Sequence, residues 1–290
     1  MEQTVSPPAW KKVLRIFYAM RQPVQELFSG EYKSVFKGQG MEFSEVREYT
    51  PGDDVRSINW RVTARYDKPF IKKFQEEREL TIIILLDMSA SLGFGSARTK
   101  KEVAAEMTAL LGWSAMENND RVGMLIFTEK VEKFIPPRKG RNQILELIRE
   151  ALSYPVTGRR TDLKGALSYL NRMLRKRAII FLLSDFLSDG YEKILKVTAR
   201  KHEVVPIWIK DKWEREIPPE GDFTFEDAES GEIFYLSCAD LARAGKMLRD
   251  REEETEAVMS RCSLDTLRLD TQRPYLKDTL AFFRRRFKKR

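Results

Sequence analysis

The hydrophobic residues from about position 79 onward follow two alternating patterns. Short uninterrupted apolar runs are typical of buried β-strands, whereas apolar residues three or four positions apart are typical of amphipathic helices. The runs lie at 81–86, 122–127, 178–183 and 204–209. Helical spacing is found around residues 103–111, 144–152, 163–174 and 194. This alternation predicts an α/β fold, with a doubly wound and mostly parallel sheet that carries helices on both faces.

The residues before position 79 lack this alternation. Apolar residues at helical spacing predict an amphipathic helix over residues 8–28, broken at Pro23, which requires a partner surface. Residues 31–70 mix aromatic residues with charges and glycines, and they contain too few apolar residues for a core of their own. We therefore divide the chain into an N-terminal helix with a small β-containing lobe, residues 1–78, and an α/β domain with a C-terminal helix, residues 79–290.

The composition is typical of a soluble globular protein. A chain of 290 residues that is 42% hydrophobic and 33% charged is long enough for one large core and a small second lobe. No stretch approaches the roughly 18 apolar residues that a membrane span requires, and the N-terminus lacks the layout of a signal peptide. Cys238 and Cys262 form no metal-binding or redox motif. We expect a cytoplasmic protein with reduced cysteines.

The positive charge of the chain is concentrated at its end. The net charge is +8, and residues 284–290 (RRRFKKR) supply six of these charges, so the rest of the chain carries a net charge of only +2. Leu276, Leu280, Phe283 and Phe287 repeat at helical spacing just here. We therefore predict a helix that docks by its apolar side, with the basic residues outside, and we consider nucleic-acid binding unlikely.

Residues with carboxylate or hydroxyl side chains follow the predicted strands. Asp87 ends the first run, with Ser89 and Ser91 just behind it, and Asp185 ends the run in AIIFLLSDF. Thr161 lies in a loop before a predicted helix. Ligand sites in such sheets lie outside the carboxyl ends of the strands, so we expect the five side chains to converge. Carboxylate and hydroxyl oxygens suit Mg²⁺ or Mn²⁺, which predicts a metal site with an open position for a carboxylate from outside.

Two segments resemble known families. DMSAS, followed by a distant loop threonine and a strand-end aspartate, resembles the metal-ion-dependent adhesion site of von Willebrand factor A domains. GQGMEFSEVREYTPGDDVRSINWRVTAR is similar to the signature of the bacterial family called domain of unknown function 58, which combines this block with such a domain.

These resemblances imply roles for the five residues and for the protein. Ser89, Ser91 and Thr161 would be direct metal ligands, and Asp87 and Asp185 would hold metal-bound water. Family members are often associated with MoxR-type AAA+ ATPases. The resemblance thus implies an adaptor that works with such an ATPase or its client, bound through an acidic residue of the partner, rather than an enzyme.

The sequence supports an enzymatic function less well. A haloacid-type phosphatase requires an aspartate where Ser89 stands, and neither a GK[ST] phosphate loop nor a GxSxG nucleophile motif is present. His202 is the only histidine, and it is far from Ser89 in sequence. We interpret Asp162 as a helix cap rather than a ligand. A metal-assisted hydrolase, or binding of nucleic acid or an anionic surface through the basic C-terminus, stays open as an alternative.

Overall fold

The computed structural model describes residues 9–22, 24, 38–50, 53–66, 68–214, 223–236 and 238–288. The chain divides into two compact units, of which the smaller is Lys33–Leu80 and the larger comprises Met1–Tyr32 and Thr81–Arg290. None of the helices in the described ranges is long and apolar enough to cross a lipid bilayer. Residues 8, 23 and 25–28, part of the predicted broken helix, lie outside the described residues, as do residues 289–290 of the basic tail.

The smaller unit is built on an antiparallel pair of strands. Strand β1 (Gly38–Glu48) pairs with β2 (Phe70–Arg78), and the short helix α2 (Trp60–Tyr66) lies between them in sequence. Asp53 is fastened to the end of β1, because its carboxylate accepts hydrogen bonds from the Arg47 guanidinium and from the Thr50 amide. The hydrogen bonds from Arg47, followed by those from Thr50, lower the pKa of Asp53 to about 2.

The larger unit contains a six-stranded sheet, and four of its strands coincide with the predicted hydrophobic runs. Its strands are β3 (Thr81–Asp87), β4 (Arg121–Phe127), β5 (Val131–Arg138), β6 (Ile179–Ser184), β7 (Glu203–Lys210) and β10 (Leu267–Asp270). Their order is β10-β7-β6-β3-β4-β5, and every neighbouring pair is parallel except β4 and β5. A mostly parallel α/β sheet is therefore confirmed. Two further strands, β8 (Phe223–Glu226) and β9 (Ile233–Leu236), form a separate antiparallel hairpin.

Helices flank this sheet. They are α1 (Ala9–Ala19), α3 (Lys100–Glu117), α4 (Arg141–Ser153), α5 (Leu163–Met173), α6 (Glu192–Lys201), α7 (Cys238–Arg261) and α8 (Leu276–Lys288). One face of the sheet, which includes Ile83 and Leu85 of β3, shares a core with Leu167 of α5, Leu195 of α6 and Val258 of α7. Side chains alternate between the faces of a strand, so the neighbouring residues of β3 lie on the opposite face.

Helix α3 lies against that opposite face and is buried on nearly all sides. It contacts β3 and β4 as well as α1 and α4. Phe17 of α1 stacks on Trp113 of α3, with ring centroids 4.6 Å apart, and the Trp113 indole donates a hydrogen bond to the Phe17 carbonyl oxygen. The partner surface that the N-terminal helix requires is therefore formed by α3 and α4. A helix covered in this way is apolar around its circumference, as α3 is.

The predicted C-terminal helix is confirmed as α8. Phe282 and Phe283 are buried, and the Phe283 ring meets Phe181 of β6 edge to face at 6.1 Å. Arg285 on the same helix is exposed. The apolar side of α8 is thus docked on the sheet, as its helical spacing predicted.

Candidate functional site

The two strand-end aspartates lie at the point where the strand order reverses. From β3 the chain continues to β4 on one side of β3, and it later returns to β6 on the other side of β3. Leu86 of β3 is in register with Leu183 of β6, so Asp87 and Ser184–Asp185 follow at the same edge of the sheet. Both carboxylates are buried, and the Ser184 hydroxyl donates to Asp87 Oδ2 at 2.6 Å. This edge is where ligands bind in open parallel sheets.

The segment after β3 turns Ser89 and Ser91 toward each other. The Ser89 amide donates to Asp87 Oδ1 at 2.9 Å, which folds the chain back over the strand end. A short 3₁₀ helix, Ala90–Gly93, follows, and it brings the Ser89 and Ser91 hydroxyl oxygens to 3.0 Å from each other. Both serines are buried. The expected convergence of two hydroxyls beside Asp87 is therefore present.

Thr161 reaches the site on a loop that is fastened at several points. The Ala90 amide donates to the Arg159 carbonyl oxygen at 2.8 Å, which joins this loop to the serine segment. The Asp162 amide donates to the Thr128 carbonyl oxygen at 2.9 Å. The Asp162 side chain accepts from the Gly165 amide at the start of α5, so its interpretation as a helix cap is confirmed.

Glu129, in the turn between β4 and β5, and Glu132, at the start of β5, hold the loop from the other side. Glu132 accepts from the amides of Thr157 and Gly158, at 3.1 and 2.9 Å, and Glu129 accepts from the Arg160 amide at 2.8 Å. A Cβ atom on Gly158 would lie 2.2 Å from the Thr128 hydroxyl oxygen and 2.4 Å from a Glu129 carboxylate oxygen. A side chain at position 158, in the loop that carries Thr161, would therefore force Thr128 or Glu129 to shift.

Lys100 is a site residue that the sequence reasoning missed. Its side chain is fully buried, and its ammonium group donates to Asp185 Oδ2 at 2.8 Å and also to the carboxylate of Glu214. Burial disfavours the charged lysine, but the negative charges of Asp185 and Glu214 outweigh this effect and raise the pKa of Lys100. The lysine is the first residue of α3, directly after the Thr99 cap, a position that in sequence is typical of a surface lysine.

Glu229 is the second residue that was missed. It lies at the tip of the β8–β9 hairpin, and its Oε1 atom accepts a hydrogen bond from the Thr161 hydroxyl at 2.8 Å. The Arg159 guanidinium donates to the Ala228 carbonyl oxygen at 3.1 Å. No pattern in the sequence marks this glutamate, because it comes from a hairpin outside the main sheet, 68 positions after Thr161.

The electrostatics of the site favour a cation. Burial, followed by the negative charge of Asp185, raises the pKa of Asp87 to about 7, although the hydrogen bonds from Ser184 and Ser89 act in the opposite direction. Burial also raises the pKa of Glu229, and Asp185 acts in the same direction, against the hydrogen bond from Thr161. These carboxylates lie close enough together that each favours the protonated form of the others. A nearby divalent cation favours the charged forms instead.

The donor atoms fit a hard cation by their chemistry. Across the described ranges, no group of three or more His, Cys, Asp and Glu side chains is arranged to hold a metal ion. The atoms gathered here are instead carboxylate and hydroxyl oxygens in combination, which Mg²⁺ and Mn²⁺ accept together with water. The site at the carboxyl ends of β3 and β6 is thus chemically suited to the metal that the sequence analysis expected.

The remaining candidates lie elsewhere. His202 follows α6 and precedes β7, at the amino-terminal edge of the parallel strands and so opposite the site. Its Nδ1 atom accepts a hydrogen bond from the Ala178 amide at 3.3 Å. Cys262 is a buried free thiol in the core.

Comparison with known proteins gives a family and several relatives. A family model described as "Protein of unknown function DUF58" matches residues 45–256. The uncharacterized protein Rv1480 of Mycobacterium tuberculosis H37Rv is 33% identical over 272 residues, which cover 91% of this chain and 85% of that protein. The uncharacterized protein YeaD of Bacillus subtilis is 26% identical over 106 residues, 37% of this chain and 25% of that protein.

Solved structures show a lower similarity. The conserved hypothetical protein BatB from Bacteroides thetaiotaomicron matches with a TM-score of 0.44 and 14% sequence identity, over 73% of this chain and 100% of that chain. At this TM-score the likeness adds nothing to the description of the fold.

Proposed function

We propose that this chain, which belongs to the DUF58 family of proteins of unknown function, is a non-enzymatic, metal-dependent adaptor that binds a protein partner. The observation that carries the proposal is the pair of buried serine hydroxyls, 3.0 Å apart, beside Asp87 at the edge of the sheet. Such a set of oxygen donors at a strand-order reversal is suited to bind a cation and present it to a ligand.

In this proposal five residues hold Mg²⁺ or Mn²⁺, as in the adhesion site of a von Willebrand factor A-like domain. They are Asp87, Ser89, Ser91, Thr161 and Asp185. The bound cation supplies a coordination position for an acidic side chain of the partner.

The surrounding residues keep these donors in place. Ser184 and the Ser89 amide orient the two oxygens of Asp87. Lys100 holds one oxygen of Asp185, while Glu129 and Glu132 hold the loop that carries Thr161. The protein thus contributes an arrangement that is rigid before the partner arrives, which lowers the entropic cost of binding.

Neither the histidine nor the buried lysine is placed to act as the general base of a hydrolase at this site. A hydrolase requires a general base within hydrogen-bonding reach of the attacking water. The histidine is at the opposite edge of the sheet, and the Lys100 ammonium is engaged by two carboxylates that keep it protonated. As partner we propose a MoxR-type AAA+ ATPase or its client, on the strength of the family resemblance.

The test begins with metal binding by purified protein. We expect Ser89→Ala to weaken Mn²⁺ binding about tenfold or more, because it removes one donor atom. Ser153→Ala, at the exposed end of α4, is the matched control and should bind Mn²⁺ as the wild type does. Both variants should stay folded and unfold in a cooperative urea transition when chelator is present.

The second step measures binding to the MoxR-type ATPase of the same organism on a sensor surface. We expect chelator and Ser89→Ala to weaken the complex together. If a folded Ser89→Ala variant binds Mn²⁺ as the wild type does, the metal site is rejected. If neither chelator nor the substitution weakens the complex, the role of the metal in the interface is rejected.

A further inference from the structure

We infer that Glu229, at the tip of the β8–β9 hairpin, is an internal ligand of the cation site and occupies the position that the partner's carboxylate takes. The inference rests on the proposed function and deepens it. It assigns to this chain itself a carboxylate that competes with the partner, so that the hairpin must move away before the partner binds.

The contact with Thr161 carries the inference. The Thr161 hydroxyl, a proposed metal ligand, donates to Glu229 Oε1 at 2.8 Å. A hydroxyl has one proton to donate and two lone pairs, so Thr161 can bind a cation through a lone pair while it donates its proton to Glu229. The other carboxylate oxygen, Oε2, accepts no hydrogen bond from any residue that the structure describes. Glu229 therefore has an oxygen available beside the proposed ligands.

The hairpin tip is built to hold Glu229 in this place. Asp227 accepts from the Glu229 amide at 2.9 Å and from the Ser230 hydroxyl at 2.8 Å, and the Gly231 amide donates to the Asp227 carbonyl oxygen at 2.7 Å. Gly231 adopts a φ of +76°, which favours glycine. The Arg159 guanidinium then fastens the tip to the loop of Thr161 through the Ala228 carbonyl oxygen.

The rest of the hairpin is suited to leave the site. Strands β8 and β9 pair only with each other and add nothing to the six-stranded sheet. A two-stranded hairpin is marginally stable by itself, so its position depends on its contacts with the rest of the unit, which include those at its tip and those of β9 with α7. Ile233 and Tyr235 on β9 are exposed, at 58% and 80% of their surface. Loss of the Glu229 contact therefore removes one of the attachments that hold the hairpin at the site.

The charges make Glu229 the exchangeable carboxylate. Lys100 lies between Asp185 and Glu214 and is paired with both, so Lys100, Glu214, Asp185 and Asp87 together carry a net charge of −2 when all are ionised. A divalent cation balances this charge, and Asp87 and Asp185 are both fixed at strand ends in the core. Glu229 is the third carboxylate and the one on a separate hairpin, so it is the one that an incoming acidic side chain replaces.

The experiment compares Glu229→Gln with Glu232→Gln, a matched control on the exposed part of the same hairpin. Glutamine keeps an oxygen for the Thr161 hydroxyl and removes the charge. Mn²⁺ binding is measured by electron paramagnetic resonance with Mn²⁺ alone, and hydrogen exchange of a peptide covering residues 223–236 is measured with and without Mn²⁺. A third measurement adds millimolar acetate, a small carboxylate that can stand in for the lost side chain.

We expect Glu229→Gln to weaken Mn²⁺ binding about tenfold, and acetate to restore the affinity in this variant without raising that of the wild type. Mn²⁺ should slow exchange of the hairpin peptide in the wild type and in Glu232→Gln but not in Glu229→Gln. If Glu229→Gln binds Mn²⁺ as the wild type does and the exchange of its hairpin responds to Mn²⁺ in the same way, the inference is overturned.

Ser89→Ala separates this failure from failure of the proposed function. If Ser89→Ala loses Mn²⁺ while Glu229→Gln does not, the metal site stands and only the internal ligand is rejected. If neither variant changes Mn²⁺ binding, both the site and the inference fall.

Discussion

Replacement of Lys100 by methionine is a direct test of the charge arrangement at the site. Methionine keeps most of the unbranched stem of the lysine and removes the ammonium group that donates to Asp185 and Glu214. Lys100 is 0% exposed and the Asp185 side chain is 2% exposed, so the variant leaves a buried carboxylate without its countercharge. Removal of one partner from a buried ion pair costs about 3–5 kcal/mol, and we expect a loss of this size in the free energy of unfolding.

The assay is urea unfolding at pH 7 with chelator present, so that no cation replaces the lysine. Lys193→Met, at an exposed position of α6, is the control and should change the unfolding free energy by less than about 0.5 kcal/mol. The double variant Lys100→Met with Asp185→Asn removes both charges of the contact. It should lose less stability than the sum of the two single variants, because the carboxylate that the lysine compensates is then gone.

A loss below about 1 kcal/mol for Lys100→Met, similar to that of the exposed control, would refute the reasoning. It would mean that Asp185 finds another countercharge or water, and that the buried pair is absent in solution. Additive losses in the double variant would lead to the same conclusion for the Lys100–Asp185 contact.

Two further predictions concern a loop and a titration. Gly158→Ala should weaken Mn²⁺ binding, because the new methyl group would meet Thr128 and Glu129 and shift the loop of Thr161. The control is Gly93→Ala, where a methyl group would have no neighbour within 4 Å and Mn²⁺ binding should not change. Equal Mn²⁺ affinities of the two variants in a titration would contradict this prediction. Burial lowers the pKa of His202, so the unfolded chain takes up the proton more readily and stability is lost as pH falls below about 6.5. In His202→Asn, the urea midpoint should change less between pH 7.5 and 5.5 than it does in the wild type. An unchanged pH dependence of the midpoint would show that His202 does not contribute to it.

Local sequence determined the central strands and most of the candidate site. Strands buried on both faces of a parallel sheet must be apolar along their whole length, so β3, β4, β6 and β7 are visible as hydrophobic runs. Asp87, Ser89 and Ser91 belong to one short segment, and the turn after β3 alone brings them together. The ends of the runs likewise placed Asp87 and Asp185 at the same edge of the sheet.

Tertiary structure alone decided which other side chains meet there. Lys100 reaches Asp185 across 85 positions, and Glu229 reaches Thr161 across 68. Neither residue has a local pattern that distinguishes it from a surface lysine or glutamate. The strand order that closes β10 onto β7, and the packing of α1 on α3, also depend on which surfaces remain uncovered once the sheet has formed. Contacts between distant segments are determined by the packing of the whole core, because no short stretch of sequence contains both partners.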